Sequence, residues 1–439
     1  MNKNIKNILF CFKLFYILAS EFFLYFIFKD FSILIDNLTK RLSTINILYV
    51  KIFQAFALNN HFIDDLTNNK LLQFTDNVPW TFNDYNLNEL NEISDKYDIV
   101  LKMGYEMPIN SGMISLVFKG YKKDNINVPV IIKMKRKNIE ALLNDAIDNL
   151  IFLIYLLSFI PVIHKYNISE IVTTNIEIIR LQTNFLQEVD NMNLIKNNCK
   201  NLKYVIIPTS NRTITELYPN VIVMEYINGI KINQIQKEDY EQFAKLVIKF
   251  GLATTILHGV THGDLHGGNI LFIKDNNDKK YTYKIGVIDF GIIYNVEAKH
   301  KALFFDVLTQ LFQVLPRQTS EKILNSGIIE PQGILQQIPQ NHYNNIIQFL
   351  EDIIDETIHN SKKANQTQIY KFLFKLNTYL VSEELANIGI RPSDEFVKMQ
   401  LVLAMAHGVT ITLCKTNFIE LMDTVLNELF HTNMLIIKN

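Results

Sequence analysis

The stretch THGDLHGGNILF, residues 261–272, sets one carboxylate, Asp264, a few positions ahead of one amide, Asn269. A second carboxylate, Asp289, follows at VIDFG, between a β-branched run and a Phe-Gly pair. Phosphoryl transfer asks for such a set. A carboxylate orients or deprotonates the acceptor hydroxyl, and oxygen ligands hold Mg²⁺ against the phosphates. Asp264 suits the first role. Asn269 and Asp289 suit the second, because Mg²⁺ takes few carboxylates together with phosphate oxygens and water. Gly267 and Gly268 let the loop turn tightly without a Cβ clash. A zinc centre built on His262, Asp264 and His266 is the alternative, but no fourth ligand stands nearby in the sequence.

The same chemistry needs a cation for the nucleotide phosphates. VPVIIKMKR, residues 128–136, places Lys133 at the end of an apolar strand, as in a V-A-I-K pattern. Its expected partner is a Glu on a following helix; FLQEVDNMN offers Glu188, with Asp190 the weaker substitute. PINSGMISLVFKG, residues 108–120, reads as the hairpin over the phosphates, with Ile109, Asn110, Ser111 and Gly112 at its turn. VIVMEYINGIKI reads as a hinge, with Glu225 and Tyr226 beside the base.

The elements that must position these groups follow from hydrophobic patterning. Residues 1–75 have apolar residues at helical spacing. DIVLKMG, GMISLVFKGYKK and NVPVIIKMKRK read as three strands of a small antiparallel sheet. Helices are expected over 139–160, 167–195 and 236–259, a strand over 220–227, and a strand pair around KYTYKIGVIDF. Beyond about residue 297 the chain reads as helical, with polar loops near 315–320, 329–341 and 359–366. The expected fold is α+β: a small antiparallel sheet lobe, a large helical lobe and an N-terminal helical extension. The expected parts are an apolar segment 1–35, a helical extension 36–97, an N-lobe 98–228 and a helical C-lobe 229–439. That is the layout of a two-lobed phosphotransferase.

With 48% apolar and 20% charged residues and a formal charge of -1, nothing points to nucleic acid as a partner. Cys11, Cys199 and Cys414 lie far apart, which fits a reducing, intracellular setting. Residues 8–28 are apolar enough to enter a bilayer. Lys13, Ser20 and Glu21 share one narrow face, so the segment is either a membrane anchor or a helix docked over a globular body. Lys13 argues against a cleaved signal.

Taken together these residues resemble the UbiB-like (aarF-domain, ABC1/ADCK) atypical kinase family. Aminoglycoside and choline kinases share H-G-D-x-H-x-G-N, so the extension carries the distinction. KIFQ at 51–54 resembles the family's K-x-G-Q, with Lys51 and Gln54 matching and Phe53 in place of glycine. LLQFTDNVPW follows, and PINSGMI stands where the family has an alanine-rich loop. KMKRKNI resembles K-V-Q-R-P-G-I. QTNFLQEVDN resembles E-x-D-x-x-x-E-A-x-N, with Gln182 and Asn184 replacing two carboxylates. The resemblance implies a protein-kinase-like fold, ATP and Mg²⁺ as cofactors, and a role linked to quinone or lipid metabolism near membranes. It implies Lys51 and Gln54 as regulatory residues, Lys133, Glu188 and Asp264 as catalytic ones, and a protein, lipid or small molecule as acceptor. It also implies that bulk at Phe53 disturbs packing on the nucleotide lobe, and that the two amides weaken a regulatory contact with Lys51. The alternatives are a small-molecule kinase and a nucleotide-binding scaffold without turnover.

Overall fold

The computed structural model describes residues 3–51, 77–101, 107–157, 179–298, 315–364 and 378–393, with scattered positions besides. The chain sorts into two compact units. One holds Met1–Asn193 with Pro208–Tyr226, the other Leu194–Ile207 with Ile227–Asn439.

The first unit opens with α1 (Lys3–Phe28) and α2 (Phe31–Ile45). Asp30 caps α2 by accepting from the Ile33 N–H at 3.0 Å. On α1 the buried side chains are Asn7, Phe10, Leu14, Ile17 and Glu21, a stripe at three-four spacing. It packs against Leu34, Leu38 and Leu42 of α2. Glu21 pairs with Arg41 and accepts from Asn37 Nδ2 at 2.9 Å. Lys13 differs from the expected shared face: it is exposed, and only Glu21 and half-buried Ser20 turn inward. The carboxylate can lie in an apolar stripe because a guanidinium and an amide satisfy it.

Next come α3 (Leu87–Lys96), β1 (Ile99–Leu101), β2 (Asn110–Ser111), β3 (Ser115–Lys122) and β4 (Pro129–Lys135). Strands β1, β3, β4 and β6 (Val221–Glu225) pair antiparallel in that order, with β2 added to β3. Alternation along β4 sorts its side chains by face. Val130, Ile132 and Met134 join Leu90 and Ile93 of α3 and Phe118 of β3 in one core. Lys133 therefore belongs to the opposite face. Helix α4 (Ile139–Leu157) buries Ile139, Leu143, Ala146 and Ile147. Lys3 and Lys6 of α1 bridge to Asp148 and Asp145 of α4 at 2.8 and 2.7 Å.

Of the helix expected over 167–195, described residues 179–181 are helical and helix α5 (Phe185–Asn198) follows, so the expected helix is interrupted. The break falls at 182–184, where Asn184 Oδ1 accepts from the Gln187 N–H at 3.1 Å, a capping bond. Strand β5 (Val205–Ile206) belongs to the second unit, because it pairs parallel with β9. The short helix α6 (Arg212–Leu217) returns to the first.

In the second unit α7 (Tyr240–Leu252) runs into a π turn, Ala253–His258, which Gly259 ends at φ 67. Strand β7 (Val260–His262) leads into the Asp264 loop. β8 (Ile270–Lys274) and β9 (Tyr283–Val287) form the expected antiparallel pair, and β10 (Ile293–Asn295) pairs back on β7. The region near 315–320 is not a loop: α8 (Pro316–Leu324) starts there. Proline at the first turn suits a helix start, and the Ser320 hydroxyl donates to the Pro316 carbonyl at 2.9 Å. The loop expected at 359–366 is shortened likewise, since α9 (Gln340–Ala364) continues through most of it. Within 329–341, Ile329–Glu330 pairs with Arg391–Pro392.

Candidate functional site

The first unit brings Lys133 and Glu188 together. Lys133 Nζ donates to Glu188 Oε1 at 2.6 Å, with side-chain exposures of 9% and 1%. Strand β4 delivers the ammonium and α5 the carboxylate. Asn184 caps α5 one turn ahead of Glu188, and the Glu188 N–H donates to the Asn184 carbonyl at 3.0 Å. The amide at 184 thus sets the start of the helix that carries the partner. The Phe185 ring lies 5.5 Å from Lys133 Nζ and 5.4 Å from Lys135 Nζ.

The hairpin turn is built around Arg136. Its Nε donates to the Gly112 carbonyl at 3.0 Å and its Nη2 to Ser111 Oγ at 2.7 Å. Nη2 also donates to the Pro79 carbonyl at 3.2 Å, and Nη1 to Asp84 at 2.6 Å. Ser111 Oγ donates to the Val78 carbonyl at 2.6 Å, and Asn77 bridges Ser111 in parallel. The Ser111 hydroxyl is therefore turned inward, fully buried, and holds the turn to residues 77–84. Gly112 N–H closes the turn on the Ser115 carbonyl at 2.9 Å. Ile109 is exposed, and Asn110 pairs with Val117. None of these contacts was visible in the motif, because Arg136 and Asp84 are far apart in sequence.

At the expected hinge, Glu225 is engaged with its own unit. Its N–H donates to the Thr209 carbonyl at 2.9 Å, and its carboxylate accepts from the Thr209 N–H at 2.7 Å. Tyr226 lies under the Lys119 ammonium, 3.7 Å from the ring centroid. Lys51 is half-buried at the end of the described extension, and Gln54 lies outside the described residues. Phe53 packs beside Tyr49, centroids 6.2 Å apart, against the cluster formed with α1 and α2. It is half-buried there, and Leu153 of α4 packs against the same cluster.

In the second unit the Asp264–Asn269 loop and the segment of Asp289 are tied together. Buried His262, 1% exposed, is the link. Its Nδ1 accepts from the Asp264 N–H at 3.1 Å, and its Nε2 pairs with the Asp289 carbonyl. An accepting Nδ1 assigns the neutral Nε2–H tautomer. Burial, the larger influence, lowers the imidazole pKa, against the raising effect of the Asp289 and Asp264 charges. Both ring nitrogens are engaged by backbone, so the zinc reading fails at His262.

Asn269 Nδ2 donates to the Asp264 carbonyl at 2.9 Å, which orients its Oδ1 the other way. Asp289 Oδ1 accepts from the Gly291 N–H at 3.1 Å. One amide oxygen and one carboxylate fit the hard-oxygen preference of Mg²⁺. Gly267–Asn269 forms a 3-10 turn that His266 caps, its Nδ1 accepting from Gly268 N–H at 3.2 Å. Neither Gly267 nor Gly268 adopts positive φ. The sharper demand falls on Gly263, where a Cβ would stand 2.4 Å from Ile292 Cγ2.

The family profile described as an ABC1 atypical kinase-like domain matches residues 76–321. Among curated relatives, "Protein ACTIVITY OF BC1 COMPLEX KINASE 8, chloroplastic" from Arabidopsis thaliana is 25% identical over 55% of this chain and 31% of its own. "Probable protein kinase UbiB" from Blochmanniella pennsylvanica is 27% identical over 51% and 41%. "Probable serine/threonine-protein kinase abkB" from Dictyostelium discoideum is 25% identical over 71% and 47%. The chain thus spans less than half of the length of each of these relatives. Among solved structures, the erythromycin complex of Rv3197 from Mycobacterium tuberculosis aligns at TM-score 0.44 and 14% identity, over 84% of this chain and 87% of that one. The ADP/Mg²⁺-phosphoaspartate complex of the Rio2 kinase from Chaetomium thermophilum aligns at 0.26 and 14%, over 49% and 55%.

Proposed function

The chain belongs to the ABC1 atypical kinase-like family, with its α+β kinase-like fold, and on that premise we propose that it is an ATP- and Mg²⁺-dependent phosphotransferase or ATPase. The observation that supports this most is the buried Lys133–Glu188 pair. Burying two charges costs several kcal/mol of desolvation, so such a pair is a poor stabilising device and a good way to hold an ammonium ready for phosphate. Lys133, fixed by Glu188, binds the α- and β-phosphates. Asn269 and Asp289 hold Mg²⁺, which neutralises phosphate charge when bound. Asp264 orients the acceptor hydroxyl or water. His262 keeps Asp264 and Asp289 in register through their backbones. Residues 109–112 act through backbone groups, since the Ser111 side chain is engaged elsewhere, and Tyr226 borders the base. Lys51 and Gln54 tune this activity.

The acceptor is of the quinone- or lipid-linked class that acts near membranes. The support is α1: it is long and apolar enough to cross a bilayer, yet packs one stripe on its own unit and exposes Phe12, Phe15, Phe23 and Phe26. Such an exposed apolar surface suits contact with a membrane.

The test is turnover of Mg-ATP by wild type and Asp289→Asn. Turnover should be abolished in the variant; persistence would remove Asp289 from the metal site. Calorimetry with Lys133→Ala should show weakened nucleotide binding. Thermal stabilisation by Mg-ATP without any turnover would point instead to a nucleotide-binding scaffold.

A further inference from the structure

Tyr294 has no part in the roles assigned above. It lies on β10 in register with Thr261 of β7, the strand that leads into the Asp264 loop. Its ring rests on the glycine before Asp264: a Cβ on Gly263 would stand 2.8 Å from Tyr294 Cε2. Its hydroxyl is buried and has no hydrogen-bond partner. Burial and then the Asp264 charge push the phenol up to about 12, so it keeps its proton at neutral pH and is a donor. A buried donor left unmade is unfavourable, and phenylalanine would fill the same space without that cost. Asp264 Oδ2 stands 4.0 Å from His266 Nε2, beyond hydrogen-bond reach. The Asp264 charge acts on the phenol, so the carboxylate lies within electrostatic reach of it.

Resting on the reading of Asp264 given above, we propose that Tyr294 is a positioning residue for Asp264. Its O–H donates to one carboxylate oxygen, which leaves the other facing the acceptor. In the transfer step the acceptor oxygen forms a bond to the γ-phosphorus and the bond from that phosphorus to ADP breaks. The acceptor proton passes to Asp264, and Tyr294 keeps its own proton throughout. A group that aligns the carboxylate in this way acts in the transition state and leaves nucleotide affinity alone.

Tyr294→Phe removes only the hydroxyl and keeps the ring on Gly263. Its affinity for Mg-ATP, by calorimetry, should equal that of wild type. Its turnover should fall about tenfold, and its affinity for Mg-ADP with aluminium fluoride, a mimic of the phosphoryl group in transfer, should fall about tenfold as well. In an Asp264→Asn background the second substitution should change mimic affinity less than about twofold, because the two residues act as a unit. Equal mimic affinity for wild type and Tyr294→Phe would overturn the positioning role, while Mg-ATP binding would still uphold the proposed function. Additive losses with Asp264→Asn would overturn it too. A wild type that binds neither ligand would remove both.

Discussion

Lys133 and Glu188 each depend on the other for tolerance of burial. Removing one leaves an uncompensated charge at a site under 10% exposed. Lys133→Met should therefore cost about 3–5 kcal/mol, and the double variant Lys133→Met/Glu188→Leu should recover most of that. Urea unfolding measures both, and neither should bind Mg-ATP normally. Glycines at the two motif turns separate in the same assay. Gly263→Ala meets Ile292 and Tyr294 at 2.4 and 2.8 Å, an overpacking expected to cost about 1–3 kcal/mol. Gly112→Ala meets only the Ser115 carbonyl at 3.6 Å and should leave stability nearly unchanged. Loss of nucleotide affinity in Gly112→Ala would then report on the ligand side of that turn. Unchanged affinity would remove the turn from the binding residues.

Among the elements, the β2–β3 hairpin is held by a segment outside the sheet lobe's own strands. Arg136 gathers the carbonyls of Pro79 and Gly112, the hydroxyl of Ser111 and the carboxylate of Asp84. Such a network is worth more than its separate bonds. Arg136→Met should cost about 2–4 kcal/mol and speed amide exchange over residues 109–114. Exchange that stays slow would show that β2–β3 pairing alone holds the turn. The cap of α5 is a milder case. Asn184→Ala should cost about 1 kcal/mol, whereas Asn184→Asp, the family's residue, should be nearly neutral because both side chains cap well.

For the whole molecule the open surface of α1 is the prominent feature. One stripe is closed by α2, with Glu21 satisfied by Arg41 and Asn37, while several aromatic rings face outward. Replacing Phe12, Phe15 and Phe26 by Ser should reduce sedimentation with anionic vesicles and leave Mg-ATP affinity unchanged. Vesicle binding that survives the triple change would assign α1 a purely internal covering role.

The sequence by itself determined the family and most of the described elements. Asp264, Asn269 and Asp289 stood out as candidates because their motifs set unusual residue types at fixed spacing. The strand that carries Lys133 was legible because β-branched alternation is local, and residues 71–80 marked the extension through their resemblance to the family's motif. Only the tertiary structure decided how these groups are held. Ser111 faces inward, Glu225 is taken by Thr209, Phe53 packs against the α1–α2 cluster, and Tyr294 rests on Gly263. Each of these turns on a partner distant in sequence or on which face of a strand or helix lies against a neighbour. The helix at 316–324 escaped for a related reason, since small hydroxyl side chains read as loop until a carbonyl one turn back accepts from them. Local patterning reports what one segment prefers; contact between segments is a property of packing, and packing chose these partners.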